Sequence, residues 1–83
     1  MPLFLVNHEL RRSRECYLDL WETLARQSAL HVMESSWMMR ANGSPITLLE
    51  TLRPLVGSED RLLVVQVSDA LAWANPMVDP AAI

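Results

Sequence analysis

Two short stretches carry the side chains best equipped for chemistry. In "NHELRRSR" an imidazole and a carboxylate adjoin at His8 and Glu9, and Arg11, Arg12 and Arg14 follow directly. Carboxylate oxygen is the ligand type that Mg²⁺ and Mn²⁺ accept, a neutral imidazole nitrogen can join it, and guanidinium groups pair with phosphate oxygens. These five residues are therefore the candidate metal ligands (Glu9, His8), catalytic carboxylate (Glu9) and nucleic-acid contacts (Arg11, Arg12, Arg14). In "LHVMESSWMMR" an acid, two serines and a histidine lie close together, the residue types of a nucleophilic constellation. Strand alternation, however, sets His31 and Glu34 on opposite sides, so Ser35 has no base in its own stretch. Glu34-Ser35-Ser36 reads as a bend between two strands. The bland alternatives for the first stretch are a solvated carboxylate at a strand end and solvated loop arginines. His8 shares the parity of Phe4 and Val6, which puts it at the rim of an apolar face.

Composition narrows the classes. The chain has 83 residues, 51% of them apolar, with two glycines and one cysteine. That length suits one domain spanning residues 1–83, because a chain this short buries only about 60% of its unfolded surface and has no material for a second core. Seven arginines, no lysine and ten acids leave a net charge of −3, which opposes non-specific nucleic-acid binding unless the arginines gather on one surface. No apolar run is long enough to span a bilayer, and the basic residues follow the first apolar run where a secretion signal would have them precede it; a cytoplasmic protein is expected. Cys16 has no partner for an intrachain disulfide and reads as a buried, inert thiol. The sequence holds no phosphate-binding glycine loop, HExxH, paired-cysteine or calcium-loop motif, so nothing calls for a cofactor.

The elements that must position these residues follow from periodicity. "LFLVNH", residues 3–8, is a buried strand. From Glu15 to Gln27 the apolar Tyr17, Leu20, Trp21, Leu24 and Ala25 recur at helical spacing, opposite Asp19, Glu22 and Arg26, with Ser13 as candidate N-cap. Leu30 to Glu34 and Ser36 to Arg40 are two strands joined at the serines. Asn42-Gly43 makes a turn, Ser44 caps and Pro45 opens a second helix whose stripe is Leu48, Leu49, Leu52, Leu55 and Val56, and Pro54 must end or kink it. "GSEDR" is a loop, and "LLVVQV", residues 62–67, is the clearest strand. The order β-α-β-β-α-β predicts an α+β, ferredoxin-like domain: one antiparallel sheet with two helices on one face.

Face counting gives a further expectation. Leu3 and Leu5 oppose Phe4 and Val6 on the first strand, and Leu62 and Val64 oppose Leu63, Val65 and Val67 on the last, so both sheet faces are apolar. Two helices cover one face only. The other would expose more apolar surface than soluble monomers tolerate, which predicts a homodimer, sheet against sheet. Phe4, Val6, Trp37, Met39 and Val64 are the expected dimer-face residues, and a base-stacking role for Trp37 is the less favoured alternative.

Taken in order and at their spacing, "MPLFLVNHEL", "ESSWMMR", "EDRLLVVQV" and "LAWAN" resemble the small SinR-family proteins, which are similar to the CRISPR-associated Cas-two family. The likeness runs from residue 1 to about residue 75. It implies a ferredoxin-like homodimer with facing sheets, the last strand or tail often crossing to the partner. It also implies that a carboxylate at the end of the first strand, one per subunit, is implicated in holding a divalent metal for phosphodiester cleavage. The matching position here is Glu9 where the family has Asp, preceded by His8 where Tyr is common. Three readings result: a non-catalytic homodimeric interaction module that needs no cofactor, a Mg²⁺- or Mn²⁺-dependent endonuclease built on paired Glu9, and, on fold-level analogy alone, small-molecule sensing at the dimer interface.

Overall fold

The computed structural model describes residues 1–68 and 71–79. Four strands, β1 (Leu3–Glu9), β2 (Leu30–Met33), β3 (Ser36–Arg40) and β4 (Arg61–Val67), form one antiparallel sheet in the order β2-β3-β1-β4. Helix α1 (Leu18–Arg26) follows β1 and helix α2 (Pro45–Leu52) follows β3, so the chain is a small α+β domain.

Local signals explain the helix ends. The expected single helix from Glu15 is instead a 3₁₀ turn, Arg14–Tyr17, running into α1. Ser13 stands at its N-cap with extended backbone, yet its side chain makes no capping bond; its hydroxyl lies 3.8 Å from Cys16 Sγ. At the other end Ser28 adopts the left-handed region (φ 54°), while its N–H donates to Ala25 O and that of Ala29 to Leu24 O, each at 3.0 Å. This is the Schellman pattern that closes helix C-termini, here without the usual glycine. At α2, Gly43 turns the chain with φ 98°, Ser44 Oγ accepts the Thr47 N–H, and Pro45 takes the first turn as expected. Pro54 converts the end of α2 into a 3₁₀ turn, Arg53–Leu55.

Both helices lie on the face formed by alternate residues of the central strands. Phe4 is registered between Met39 and Gln66, and Val6 between Trp37 and Val64. Phe4, Val6, Trp37 and Met39 meet Leu20 and Leu24 of α1 and Leu48 and Leu52 of α2 in the main core. The residues expected to face a second subunit are thus corrected: Phe4, Val6, Trp37 and Met39 are core, and Val64 packs against them half-buried. The physical reason is register, because the one face that combines Phe4, Val6, Trp37 and Met39 is also the bulkiest and takes the helices' apolar stripes. Cys16 is a second correction. It is exposed rather than buried, on the 3₁₀ turn Arg14–Tyr17 and outside the apolar stripe that Tyr17 begins.

The opposite face is neither bare nor fully covered. Leu3, Val32 and Met38 form a smaller core there, against which Leu5, Leu30, Val67 and Leu71 pack. The tail returns across it, and Met77 N–H donates to Val32 O at 2.7 Å. Leu71, Ala72, Trp73 and Pro76 roof a cavity of about 210 Å³ floored by Leu5, Val32, Met38 and Val67. The expectation of a wholly uncovered second face leaves out this tail, whose mixed composition has no period. What stays open on this face is the β4 stripe, Leu63 at 57% exposure and Val65 at 39%.

The two faces predict different mutational costs. Phe4→Ala should destabilise the chain by about 3–5 kcal/mol, most of the stability of a domain this small, whereas Leu63→Ala should cost under about 1 kcal/mol in dilute protein. Urea unfolding of both variants measures the contrast.

Candidate functional site

The end of β1 places His8 and Glu9 on opposite faces of the sheet. His8 is buried at 6% exposure, its ring edge-on to Trp21 at 5.6 Å. Its Nε2 accepts the Trp37 Nε1–H at 3.2 Å. Burial first, and then the charge of His31, lower its pKa below the ordinary 6.5, against a raising hydrogen bond with its own backbone. His8 is therefore a neutral core histidine with one ring nitrogen committed to an indole. Glu9 stands in solvent, with Oε2 3.7 Å from Arg11 Nη2 and 3.6 Å from Arg61 Nη1. All three side chains are more than half exposed, so each pair contributes about 0–1 kcal/mol.

The expected ligand pair of Glu9 and His8 does not converge, and alternation along β1 is the reason. Within the chain the described residues at this site do not fit a divalent ion: Glu9 is one carboxylate held between two guanidinium groups. Among the described residues no group of three or more His, Cys, Asp or Glu side chains is close enough to hold a metal.

The arginines divide. Arg14 lies with its guanidinium carbon 4.8 Å from the centroid of the Trp21 ring, whose Nε1–H donates to Arg14 O at 3.0 Å. That cation–π contact draws it toward the aromatic cluster. Arg11 and Arg12 turn instead toward the 57–60 loop, where they line a hollow with Gly57, Ser58, Glu59 and Asp60. A larger hollow of about 720 Å³ shares that loop and is lined by Leu49, Arg53, Val56, Arg61 and Leu62. Four of the seven arginines thus flank one loop, with Glu9, Glu59 and Asp60 among them. Adjacency in sequence marks Arg11 and Arg12, but nothing local marks Arg53 and Arg61, which need the β1–β4 register (Glu9 opposite Arg61) to arrive there.

Asp60 fastens this end of the molecule, and no sequence signal pointed to it. Its Oδ1 accepts the Arg11 N–H at 2.8 Å and the Tyr17 hydroxyl at 2.9 Å, its Oδ2 accepts the Gly57 N–H at 2.6 Å, and the Arg12 N–H donates to Tyr17 Oη at 3.0 Å. Partial desolvation raises its pKa, but the bonds from Arg11, Gly57 and Tyr17, with the charge of Arg12, outweigh it and hold the carboxyl below the ordinary 3.8. One side chain ties the β1–α1 connection to the loop before β4.

The serine stretch is a turn. Glu34 and Ser35 link β2 to β3, the Ser35 carbonyl accepts the His8 N–H at 2.8 Å, and Ser36 Oγ–H donates to Asn7 Oδ1 at 2.7 Å. His31 Nε2 donates to the Glu34 carbonyl at 3.0 Å and its ring stacks on Trp37 at 4.2 Å and 2°. Trp37 stacks in turn near Trp21 at 5.9 Å. At 9% exposure Trp37 offers no free platform for a base. No protein-family model matches the chain, and no curated protein matches it.

The two shifted groups set a pH dependence. Both folded values lie below the unfolded ones, so each contribution is complete above its unfolded value and is lost as pH falls through the folded one. Melts should show one loss starting below 6.5, from His8, and a second starting below 3.8, from Asp60. His8→Leu should remove the first and Asp60→Ala the second; a wild-type melting temperature constant from neutral pH to the carboxylate range would contradict the assignment of His8.

Proposed function

We propose that the chain is a homodimeric interaction module of ferredoxin-like architecture, non-catalytic and cytoplasmic, similar in scaffold to the SinR and Cas-two-like proteins. One observation carries the self-association: the apolar stripe of β4, Leu63 and Val65, which the helices and the tail leave open. A stripe of branched side chains beside a partly covered apolar face is a surface of the kind that a second copy covers at least cost, through a two-fold axis. The resemblance implies dimers that meet sheet to sheet; the chain's own tail already occupies part of that face, which favours a contact centred on β4. The ferredoxin-like assignment is supported by the order β2-β3-β1-β4, in which each helix-linked pair of strands is separated by one other strand. An exposed, unpaired Cys16 suits a reducing compartment.

The second reading is a divalent-metal endonuclease in which Glu9 from two subunits shares Mg²⁺ or Mn²⁺. The observation in its favour is the set of four arginines around the 57–60 loop beside Glu9. It ranks second because His8 faces away and both salt bridges of Glu9 go to arginines that would otherwise hold phosphate. Non-catalytic is thus the reading that the site's chemistry favours.

Sedimentation at micromolar concentration should give about twice the chain mass, and Leu63→Asp should give monomer with an unchanged circular-dichroism spectrum. A wild-type chain that stays monomeric across the micromolar range would sink the module reading. Mn²⁺ should leave the melting temperature unchanged in wild type and in Glu9→Gln, because a ligand that binds the folded state must raise it by mass action. A Mn²⁺-dependent rise that Glu9→Gln abolishes, accompanied by cleavage of RNA or DNA, would promote the endonuclease.

A further inference from the structure

The two edges of the sheet differ in a way that identifies a contact. Strand β2 is a short edge of four residues, its register is broken by a bulge between His31 and Met33, and its Val32 carbonyl is taken by the tail. Shortness, bulges and covering segments are the devices by which sheets prevent edge-to-edge pairing. Among the described residues, strand β4, the other edge, has none of them. It runs seven residues in unbroken register with β1, from Arg61 opposite Glu9 to Val67 opposite Leu3. It contains no Pro, Gly or Lys, and its one charge, Arg61, is at the very start. Among the described residues no strand pairs with its outer side.

We propose that this edge is a seam at which the β4 of a second copy of this chain adds antiparallel, about a two-fold axis at Val64, joining two four-stranded sheets into one. The inference rests on the homodimer reading and specifies its contact. The sequence of β4 is self-complementary in this register. Val64 faces itself, Leu63 faces Val65 of the second copy, Leu62 faces Gln66, and Arg61 faces Val67. Directly opposed side chains across an antiparallel pair come within about 4.5–5.5 Å, so two leucines and two valines line up on the open face across the seam. That is the part of the face that the tail leaves exposed. The two Arg61 side chains fall at opposite ends of the seam, about 20 Å apart at the rise of a strand, so like charges never meet and each stays beside its own Glu9. Moving the axis one residue in either direction leaves strand ends unpaired, and the register at Val64 alone pairs all seven residues. An edge whose one charge stands at its end and whose sequence matches itself favours a second copy over a charged peptide.

The test uses the full chain with Cys16→Ser and Val64→Cys, since Val64 lies on the helix side of the sheet and sheet-to-sheet dimers would hold two such residues far apart. Mild oxidation should give a disulfide-linked dimer in most of the protein, and the same chain with Glu50→Cys in place of Val64→Cys should not. Amide exchange of the Cys16→Ser chain, which needs no change in β4, should show the outward N–H groups of β4 protected at high concentration and free on dilution. A dimer by sedimentation that forms no disulfide in the Val64→Cys chain, and whose outward β4 amides are unprotected, overturns the seam and leaves the homodimer reading standing. A monomer at every concentration overturns both.

Discussion

The constraint on which the rest depends is that β1 lies inside the sheet with apolar side chains on both faces, while the described residues supply two α-helices, both on one face. Phe4 and Val6 take the helices, with Trp37 and Met39 from β3 completing that layer. Leu3 and Leu5 then need cover on the other side, and the tail provides it over β2, β3 and β1. Among the described residues no segment covers Leu63 and Val65 of β4, which stay exposed. The exposed stripe is thus a consequence of the order β2-β3-β1-β4 and of a tail that crosses to the opposite edge.

Polar groups at the end of β1 are committed to holding the fold. His8 gives an acceptor to the buried indole of Trp37, which would otherwise leave an unpaired N–H inside the core, a loss of about 1–3 kcal/mol. Asp60 gathers the Arg11 and Gly57 amides and the Tyr17 hydroxyl, joining two connections that share no regular structure. What stands exposed there is a set of guanidinium groups, two of them paired with Glu9. Such an arrangement is close to charge-balanced. It lacks the surplus of positive charge on which affinity for phosphate backbones depends.

Much of the architecture is legible in the sequence because it rests on short-range signals. The strand periods, the Asn42-Gly43 turn, the Ser44-Pro45 helix start and the break at Pro54 each follow from local chemistry, and the turn at Glu34-Ser35 follows from two strand runs that meet at the serines. What cannot be read there depends on contacts distant in sequence. Phe4 and Leu5 both look like core from their own segment, and only the register with Met39 and Trp37 decides which of them meets the helices. Arg61 joins Glu9, and Asp60 joins Tyr17, across 43 residues or more, with no motif to announce either. The burial expected for Cys16 rests on residue type alone, and its place on the 3₁₀ turn Arg14–Tyr17, outside the stripe of Tyr17, Leu20, Trp21 and Leu24, leaves it exposed.

The central claim is that this fold is completed by association along the β4 stripe, and a dilution series of amide spectra tests it most directly. Between millimolar and low micromolar protein, concentration-dependent shifts should be confined to β4 and its immediate neighbours, with Leu63, Val64 and Val65 moving most and the core residues Phe4, Leu24 and Met39 unchanged. Spectra identical at every concentration, or shifts confined to the outer surfaces of α1 and α2, would contradict the account.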